Sequence, residues 1–272
     1  MSNSDLSTAP CRSVTAQEIK LFHENGWVKL QGMVSSEYVG LVLSAAHKNM
    51  GRDGDSNANT YHQYFNMEFA RGLEIPAFRP LLAALARNAK TLMARNGIGA
   101  RLMDDVWSAK LPADGTFRHG ASTRTDFHQD FPVAGVDRSG GMMFWLALVD
   151  MTPEMGTMSF LNRSHRMGPL AAHFTHHGHD LTEVYPKLAA QCPSSGPISY
   201  KAGDVTVHSN LTVHGAGENR TDHVRWAYIT VWQPSDAYWT GAHVQRFEEL
   251  AEKGRMKPFG PLDADAFPVL SE

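Results

Sequence analysis

Two histidines and one aspartate are the residues of this sequence whose types and spacing could bind a catalytic metal. His128 and Asp130 lie two residues apart, and side chains two apart on a β-strand point to the same face. His214 follows a later run rich in valine and threonine. Two imidazoles and one carboxylate on one side of a metal leave positions open opposite, which is the ligand set of non-heme Fe(II) oxygenases. The pattern therefore predicts an Fe(II) site.

An arginine on the next apolar run adds a second kind of chemistry. Arg225 lies eleven residues after His214. A buried guanidinium can hold a carboxylate through two parallel hydrogen bonds, which a lysine cannot do. A metal site with such an arginine indicates an iron enzyme that uses a dicarboxylate co-substrate. His208 competes with His214 as the third ligand, because it too follows a Val/Thr run.

The order of these motifs resembles that of the phytanoyl-CoA dioxygenase-like family of Fe(II)/2-oxoglutarate oxygenases. The resemblance runs from about residue 100 to 235, and the helical amino terminus also fits. It rests on His128-Gln129-Asp130, Phe144-Trp145-Leu146-Ala147-Leu148-Val149-Asp150, Ser164-His165, Gly203-Asp204-Val205, His214-Gly215-Ala216-Gly217 and Arg225. The Gly-Ala-Gly after His214 and the interval to Arg225 favour His214 as the distal ligand, so His208 is expected to pack or hydrogen-bond nearby.

The resemblance implies how such a site would work. His128, Asp130 and His214 would bind Fe(II), while 2-oxoglutarate would chelate it through the keto-acid end and O2 would take the remaining position. Arg225 would hold the distal carboxylate of 2-oxoglutarate. The family's reaction releases succinate and CO2 and oxidises a second substrate. Halogenation is disfavoured, because related halogenases replace the carboxylate that Asp130 supplies here.

Two further residues are candidates to contact the co-substrate. Trp145 matches the family's tryptophan beside it, although core packing is the alternative interpretation. Thr125 precedes His128 by three residues and could hydrogen-bond the co-substrate from the same sheet. Many relatives carry a hydroxyl residue two positions after the distal histidine, where this chain has Ala216. That donor must come from elsewhere, or the co-substrate is held less tightly.

The expected substrate is a small natural product, oxidised by hydroxylation or by radical cyclisation, epimerisation or desaturation. This would be a tailoring step in secondary metabolite or antibiotic biosynthesis, and no cluster of lysine and arginine suggests a CoA tail. The substrate candidates mix apolar surface with polar groups, as small-molecule sites do: they are Tyr61, Tyr64, Phe65, Met67, Asp137, Arg138, Met142 and Trp232.

A cupin-like isomerase or dioxygenase without 2-oxoglutarate is the alternative, and it would not need Arg225. A catalytically silent barrel is a third possibility, disfavoured by the intact triad.

The elements that must position these residues are mainly short strands. Thr15 and Glu18 form a capping-box pattern that opens a helix ending at Gly26, and residues 76–96 show helical spacing of apolar side chains. From about residue 100 the pattern changes to short strands, among them Ile198–Lys201 and Leu211–His214, and residues 240–272 are expected to form a short helix and a tail. One of the strands ends at Lys110, and solvent is the usual place for a lysine. We expect a mainly β fold with flanking α-helices: a double-stranded β-helix (jelly roll, cupin-like) buttressed by amino-terminal helices.

Length and composition limit the remaining possibilities. The 272 residues with 42% hydrophobic side chains suit one domain, with a tail at 1–14, a jelly-roll core at about 100–235 and a variable lid insertion at about 166–196. The role of His173–His179 in that insertion is open between a lid, a solvated loop and a metal site. With a net charge of −3 and no basic run, nothing suggests a nucleic-acid partner, and we expect neither a signal peptide nor a membrane-spanning segment. We expect a cytoplasmic monomer or homodimer that binds a small molecule.

Overall fold

The computed structural model describes residues 9–54, 66–113, 124–170 and 180–271. The helices are α1 (Ala16–Asn25), α2 (Ser36–Met50), α3 (Arg79–Met93), α4 (Phe131–Ala134), α5 (Leu181–Val184), α6 (Leu188–Gln191) and α7 (Gln245–Glu252). The strands are β1 (Trp27–Leu30), β2 (Asn66–Phe69), β3 (Ala100–Lys110), β4 (Thr125–His128), β5 (Met142–Ala147), β6 (Met158–Phe160), β7 (Val205–Ser209), β8 (His214–Ala216), β9 (Arg225–Pro234) and β10 (Val269–Ser271).

Two antiparallel sheets form the two sides of one cavity. In the described residues, the larger sheet has the order β1-β7-β5-β9-β3-β10, with β2 also paired to β3, and the smaller sheet has the order β4-β8-β6. Helices α2 and α3 cover the outer face of the larger sheet, where Val42, Leu82 and Leu85 join the main apolar core. The prediction of a mainly β jelly roll buttressed by amino-terminal helices is confirmed.

Strands β3 and β9, which are neighbours in the larger sheet, separate the cavity from the core. The two strands pair over their whole lengths, from Ala100 opposite Pro234 to Lys110 opposite Arg225. Because side chains alternate between faces, Arg225, Ile229 and Val231 line the cavity. The intervening residues Trp226, Tyr228 and Trp232 pack into the main core. Residue parity along β9 thus decides which side chains can reach the site.

The first helix forms where the sequence predicts it and supports the site from outside. Thr15 caps α1 in a complete capping box with Glu18, and Gly26 ends it with a left-handed φ of 84°. The carbonyl oxygen of Gly26 accepts a hydrogen bond of 2.6 Å from the hydroxyl of Thr212. Thr212 lies two residues before His214, so the end of α1 fixes the turn that leads into β8.

Three segments differ from expectation. The expected strand at 198–201 contains only an isolated bridge between Tyr200 and Met151. Strand β8 begins at His214 rather than at Leu211, because residues 209–212 form a turn closed by the Thr212 amide. Residues 11–14, expected in a loose tail, are held by Asn88, whose side chain bonds Val14 at 2.8 Å and the Arg12 carbonyl at 3.0 Å.

The carboxyl-terminal residues contribute more than the expected short helix and tail. Strand β10 pairs with β3 and extends the larger sheet. Phe247 of α7 and Phe267 pack with Trp239 in a second apolar cluster. Both phenylalanines also line the cavity, so this segment closes one of its sides.

Candidate iron centre

Three potential ligands converge on the wall of the cavity. His128 ends β4 directly opposite His214 at the start of β8. The Nε2 atom of His128 lies 3.5 Å from Oδ1 of Asp130, and Nε2 of His214 lies 3.6 Å from Oδ2. The possible ligand atoms of the three residues all lie within 4.8 Å of one another, and all three side chains are buried. The structure therefore brings together the three residues that the sequence singled out.

Asp130 does not lie on the same strand as His128, contrary to the expectation that alternation along one strand aligns the two side chains. Strand β4 ends at His128, and Asp130 adopts a helical backbone conformation (φ −82°, ψ −18°) at the start of α4. The chain turn after His128, rather than alternation along a strand, directs the carboxylate between the two imidazoles.

The hydrogen bonds of the two imidazoles determine which nitrogen can bind a metal. Nδ1 of His128 lies 2.7 Å from the Asp126 carbonyl, and Nδ1 of His214 lies 2.9 Å from the Thr212 carbonyl. A carbonyl oxygen only accepts, so Nδ1 must donate, and the lone pair of each neutral ring then lies on Nε2. Backbone partners of this kind orient histidine ligands in metal sites. Both rings therefore present a ligand atom towards Asp130.

The charges of the cluster also fit a divalent metal. Burial acts to raise the pKa of Asp130, but the neighbouring imidazoles of His214, His128 and His208 hold it well below its usual range. Burial lowers the pKa of His214 well below its usual value despite the nearby Asp130 carboxylate. An ionised carboxylate and a neutral imidazole are the forms that coordinate metals. The donor set, two nitrogens and one oxygen without thiolate, suits Fe(II).

A pair of buried cations lies at the end of β3 and the start of β9. Arg225 donates from Nη1 to the Gly156 carbonyl, its Nε has no partner among the described residues, and its guanidinium lies 5.2 Å from the Trp145 ring. Burial lowers the pKa of Arg225 to about 10, which leaves it protonated at neutral pH. Lys110, directly opposite, donates to the Gly217 carbonyl.

The burial of Lys110 corrects the expectation that it lies in solvent. Its side chain is fully buried, and burial, followed by the charge of Arg225, lowers its pKa well below the usual value. No ion pair joins Lys110 or Arg225 to a carboxylate in the part of the chain that the structure describes. A buried guanidinium beside a buried amine, with no ion pair to a carboxylate in the described chain, indicates a site for an anion, because an unpaired buried charge is strongly destabilising.

The cavity that opens from this cluster has a volume of about 380 Å³ and mostly apolar walls. His128, Asp130, His214, Thr125, Trp145 and Arg225 lie along it. Five methionines and three phenylalanines form much of the remaining wall: Met67, Met103, Met142, Met143, Met158, Phe69, Phe247 and Phe267. This volume is within the range of small-molecule sites.

The substrate candidates are placed differently from one another. Met67 and Met142 line the cavity. Trp232 does not, because it stands an odd number of residues from Arg225 on β9 and so points to the opposite face, where its indole donates to Thr230. Asp137 and Arg138 also lie away from the wall, in ion pairs at the protein surface. Tyr61, Tyr64 and Phe65 lie outside the described residues.

Sequence reasoning missed several residues that the structure brings to the site. Lys110 and Ser108 belong to β3, the partner strand of β9. They lie two residues apart, and this spacing could have predicted that both side chains point to the same face of the strand. His208 was expected to pack or bond nearby, and its Nε2 lies 3.1 Å from Oδ2 of Asp130. Asp104 and Arg246 form an ion pair on the cavity wall, which only the folded chain brings together.

The insertion expected as a lid packs behind the smaller sheet in its described part. Leu181, Leu188 and Cys192 form an apolar cluster with Val213. Gln129, between the two proximal ligands, accepts from the Leu170 amide and donates to the Gly168 carbonyl. No residue between 180 and 192 lines the cavity. His173–His179 lie outside the described residues.

No helix in the described ranges is both long and apolar enough to cross a membrane.

The fold is shared with solved structures of enzymes that depend on, or were crystallised with, alpha ketoglutarate (2-oxoglutarate). The non-heme alpha ketoglutarate-dependent carbocyclase SnoK from nogalamycin biosynthesis superposes with a TM-score of 0.74 at 23% identity, covering 94% of this chain and 96% of SnoK. The epimerase SnoN, solved with Fe3+, alpha ketoglutarate and nogalamycin RO, gives 0.73 at 22% identity, with coverage of 93% and 97%. EvdO2 from Micromonospora carbonacea var. aurantiaca, complexed with 2-oxoglutarate, gives 0.64 at 19% identity, with coverage of 88% and 98%.

The family assignment rests on the sequence match. A search of curated proteins finds no significant match. The sequence profile of the family described as "Phytanoyl-CoA dioxygenase (PhyH)" matches residues 22–227, which include the three potential ligands and Arg225. This chain therefore belongs to the phytanoyl-CoA dioxygenase (PhyH) family and is an Fe(II)/2-oxoglutarate-dependent oxygenase.

Proposed function

We propose that this oxygenase performs a tailoring oxidation on a small, largely apolar natural product and forms succinate and CO2 from 2-oxoglutarate. The observation that carries the proposal is one cavity with three parts. His128, Asp130 and His214 cluster on its wall, Arg225 without a carboxylate partner in the described chain lines the same cavity, and apolar side chains form most of the rest.

The three ligands would hold the iron, and the structure supports a role for each. Nδ1 of both histidines is engaged by backbone carbonyls, so Nε2 is the atom left for the metal. Asp130 would remain ionised and supply the oxygen ligand. Activation of O2 is the chemistry that Fe(II) would supply when bound there. The chain's own contribution is to fix three ligands on one side and leave the other side to the co-substrate.

Arg225 would bind the distal carboxylate of 2-oxoglutarate, with Trp145 at its side. The guanidinium is already oriented by the Gly156 carbonyl, while Nε remains without a partner in the described residues. Its position 5.2 Å from the Trp145 ring restricts its movement further. Lys110 would add a second positive charge behind it. An arginine held in advance in this way loses little conformational entropy when the carboxylate arrives.

The cavity wall supports a substrate that is mostly apolar. Methionine side chains adapt to ligand shape and phenylalanine rings favour flat apolar surfaces. A CoA thioester would bring several phosphate charges. The described wall offers Arg246 as its cation outside the co-substrate site, and that guanidinium is paired with Asp104 and two carbonyls. This favours a free natural product over a CoA-linked substrate.

The similar structures support a place in secondary metabolism without fixing the reaction. SnoK is a carbocyclase and SnoN an epimerase of nogalamycin biosynthesis, so one fold serves two radical outcomes. We therefore propose hydroxylation or radical cyclisation, epimerisation or desaturation, in antibiotic or related biosynthesis. We further propose a cytoplasmic monomer or homodimer, in line with the free thiols Cys11 and Cys192.

Anaerobic titration of the Fe(II) protein with 2-oxoglutarate tests the proposal. The expected result is the weak visible charge-transfer absorption of the keto-acid chelate, followed by succinate release when O2 and a substrate are added. Substrates would be found by screening apolar natural products for those that stimulate O2 uptake. Turnover of a substrate without 2-oxoglutarate would instead support the cupin-like alternative.

A further inference from the structure

We propose that the hydroxyl of Ser108 is a second donor to the distal carboxylate of 2-oxoglutarate, acting beside Arg225. This inference rests on the proposed function and assigns a further binding residue to the same site. Two observations support it: Ser108 lies on the cavity wall, and its Oγ atom has no hydrogen-bond partner among the described residues.

Ser108 is a buried hydroxyl residue that the protein leaves unsatisfied. Its side chain is 1% exposed, and its Oγ atom has no hydrogen-bond partner among the described residues. The same residue lines the cavity. Buried polar groups in folded proteins are almost always hydrogen-bonded, and exceptions mark sites where a ligand or water completes the set. A group that enters the cavity can therefore accept a hydrogen bond from the Ser108 hydroxyl.

The pairing of β3 with β9 puts this hydroxyl next to Arg225. Lys110 stands opposite Arg225, and Ser108 stands opposite Ala227, two residues further along each strand. Ser108 and Arg225 are thus diagonal neighbours on the cavity face of the sheet. Side chains in this relation lie about 7–8 Å apart at the backbone, within reach of one bridging group when one of them is as long as arginine.

A carboxylate is the group that satisfies both donors. Nε of Arg225 also lacks a partner in the described chain, so the two orphaned donors share one wall. A carboxylate offers two oxygens with about four lone-pair sites, enough for a guanidinium edge and a hydroxyl together. A neutral ligand would leave the charge of Arg225 uncompensated.

Two other hydroxyls are weaker candidates. Thr157 is also buried with no hydrogen-bond partner among the described residues, but it does not line the cavity. Thr125 lines the cavity from the smaller sheet, opposite Ala216, which offers no polar side-chain atom. Thr125 is half-buried, so it has no comparable need for a ligand. It serves as the comparison in the experiment.

The test compares two keto acids that differ only in the tail. 2-Oxopentanoate has the same keto-acid end as 2-oxoglutarate but ends in a methyl group. Dissociation constants for both would be measured anaerobically on the Fe(II) protein, by the chelate absorption and by calorimetry. We expect Ser108→Ala to weaken 2-oxoglutarate about tenfold and to leave 2-oxopentanoate unchanged, because only the former offers a charged acceptor. Ser108→Thr, which keeps the hydroxyl, should restore most of the affinity.

The possible results separate this inference from the function on which it rests. Equal weakening of both ligands by Ser108→Ala, or no weakening of either, would overturn the role of Ser108. Selective loss of 2-oxoglutarate affinity in Thr125→Val but not in Ser108→Ala would overturn it in favour of Thr125. Absence of any chelate in the unmodified protein would overturn the proposed function itself.

Discussion

Nε2 of His208 lies 3.1 Å from Oδ2 of Asp130, closer to that carboxylate than either imidazole proposed to bind iron. The carboxylate is ionised and can only accept, so Nε2 of His208 carries the proton and donates it. The other nitrogen of His208 is buried without a partner in the described residues. His208 therefore acts on Asp130 as a hydrogen-bond donor and fixes the orientation of the carboxylate.

Replacing His208 should weaken metal binding without removing a ligand. In His208→Leu, Asp130 loses the donor that orients Oδ2, and partners of this kind typically contribute 10- to 100-fold in metal affinity. His208→Gln, which keeps an amide donor of similar reach, should recover much of the loss. Fe(II) affinity would be measured by anaerobic calorimetry, with thermal unfolding of the metal-free protein to check folding.

A matched control is His223→Leu, because that imidazole is 81% exposed and faces a solvated carboxylate. It should bind iron like the unmodified protein. If His208→Leu also does so, His208 packs beside the site without orienting Asp130.

Arg225 should be needed for the tail of the co-substrate and not for its chelating end. Arg225→Lys removes the planar two-point contact, and Arg225→Gln removes the charge as well. We expect 2-oxoglutarate affinity to fall about tenfold in the first and about 100-fold in the second, in line with the strength of charged hydrogen bonds. Affinity for 2-oxopentanoate, measured in parallel, should change little.

The comparison variant for Arg225 is Arg138→Lys, which alters an arginine that forms ion pairs with Asp137 and Asp236 outside the cavity. It should retain affinity for both keto acids. A uniform loss of both ligands in Arg225→Lys would show that the residue supports the fold rather than the carboxylate.

The sequence allowed the fold class, the ligand set and Arg225 to be predicted because each depends on local pattern and order. Capping residues such as Thr15 and Gly26 mark their helix ends directly. His128 and His214 are recognisable because each ends or begins a short strand in the order that the family resemblance implies.

What could not be predicted depends on register between distant strands. The burial of Lys110 follows from its position opposite Arg225, which no local feature of either segment specifies. The contact between His208 and Asp130 joins residues 78 apart in sequence. The prediction that Trp232 contacts the substrate could have been avoided from the sequence. Trp232 lies an odd number of residues from Arg225, which already places it on the other face of the predicted strand.

Lys110 should trade stability for co-substrate binding. Because burial and Arg225 lower its pKa, the folded protein holds this proton less tightly than the unfolded chain does. Stability from this group is therefore fully present only above the ordinary pKa of 10.5, and it is lost as pH falls towards the folded value. At neutral pH, Lys110→Met removes the free-energy cost of burying the lysine amine, so the melting temperature without ligand should rise. The affinity for 2-oxoglutarate should fall.

The melting temperatures would be measured by calorimetry with and without iron and 2-oxoglutarate. Lys253→Met, at an exposed position, controls for the general effect of removing a lysine. Unchanged 2-oxoglutarate affinity in Lys110→Met would mean that the cation does not contribute to the anion site.

Asp204, part of the Gly-Asp motif that the family resemblance highlighted, should be structural. Its carboxylate pairs with Lys29 at 2.8 Å and accepts from the amides of Gly32 and Lys201 at 2.8 and 2.9 Å. Burial acts to raise its pKa, but Lys29 and these amides hold it below the usual 3.8. The stabilisation is thus complete above that value and is lost as pH falls below it. We expect Asp204→Asn to lower the free energy of unfolding by about 2 kcal/mol at neutral pH.

This loss should shrink in acid, because below pH 3.8 the unfolded chain binds a proton at Asp204 more tightly than the folded protein does, which reduces the stabilisation by the ionised carboxylate. Denaturant unfolding at neutral pH and near pH 3 would measure the two differences, with Asp222→Asn as the control at a carboxylate that is 90% exposed. The folded Asp204→Asn protein should keep its iron and 2-oxoglutarate affinities, since Asp204 holds the β1–α2 turn rather than the cavity wall. A selective loss of co-substrate affinity at full stability would instead assign this aspartate to the site.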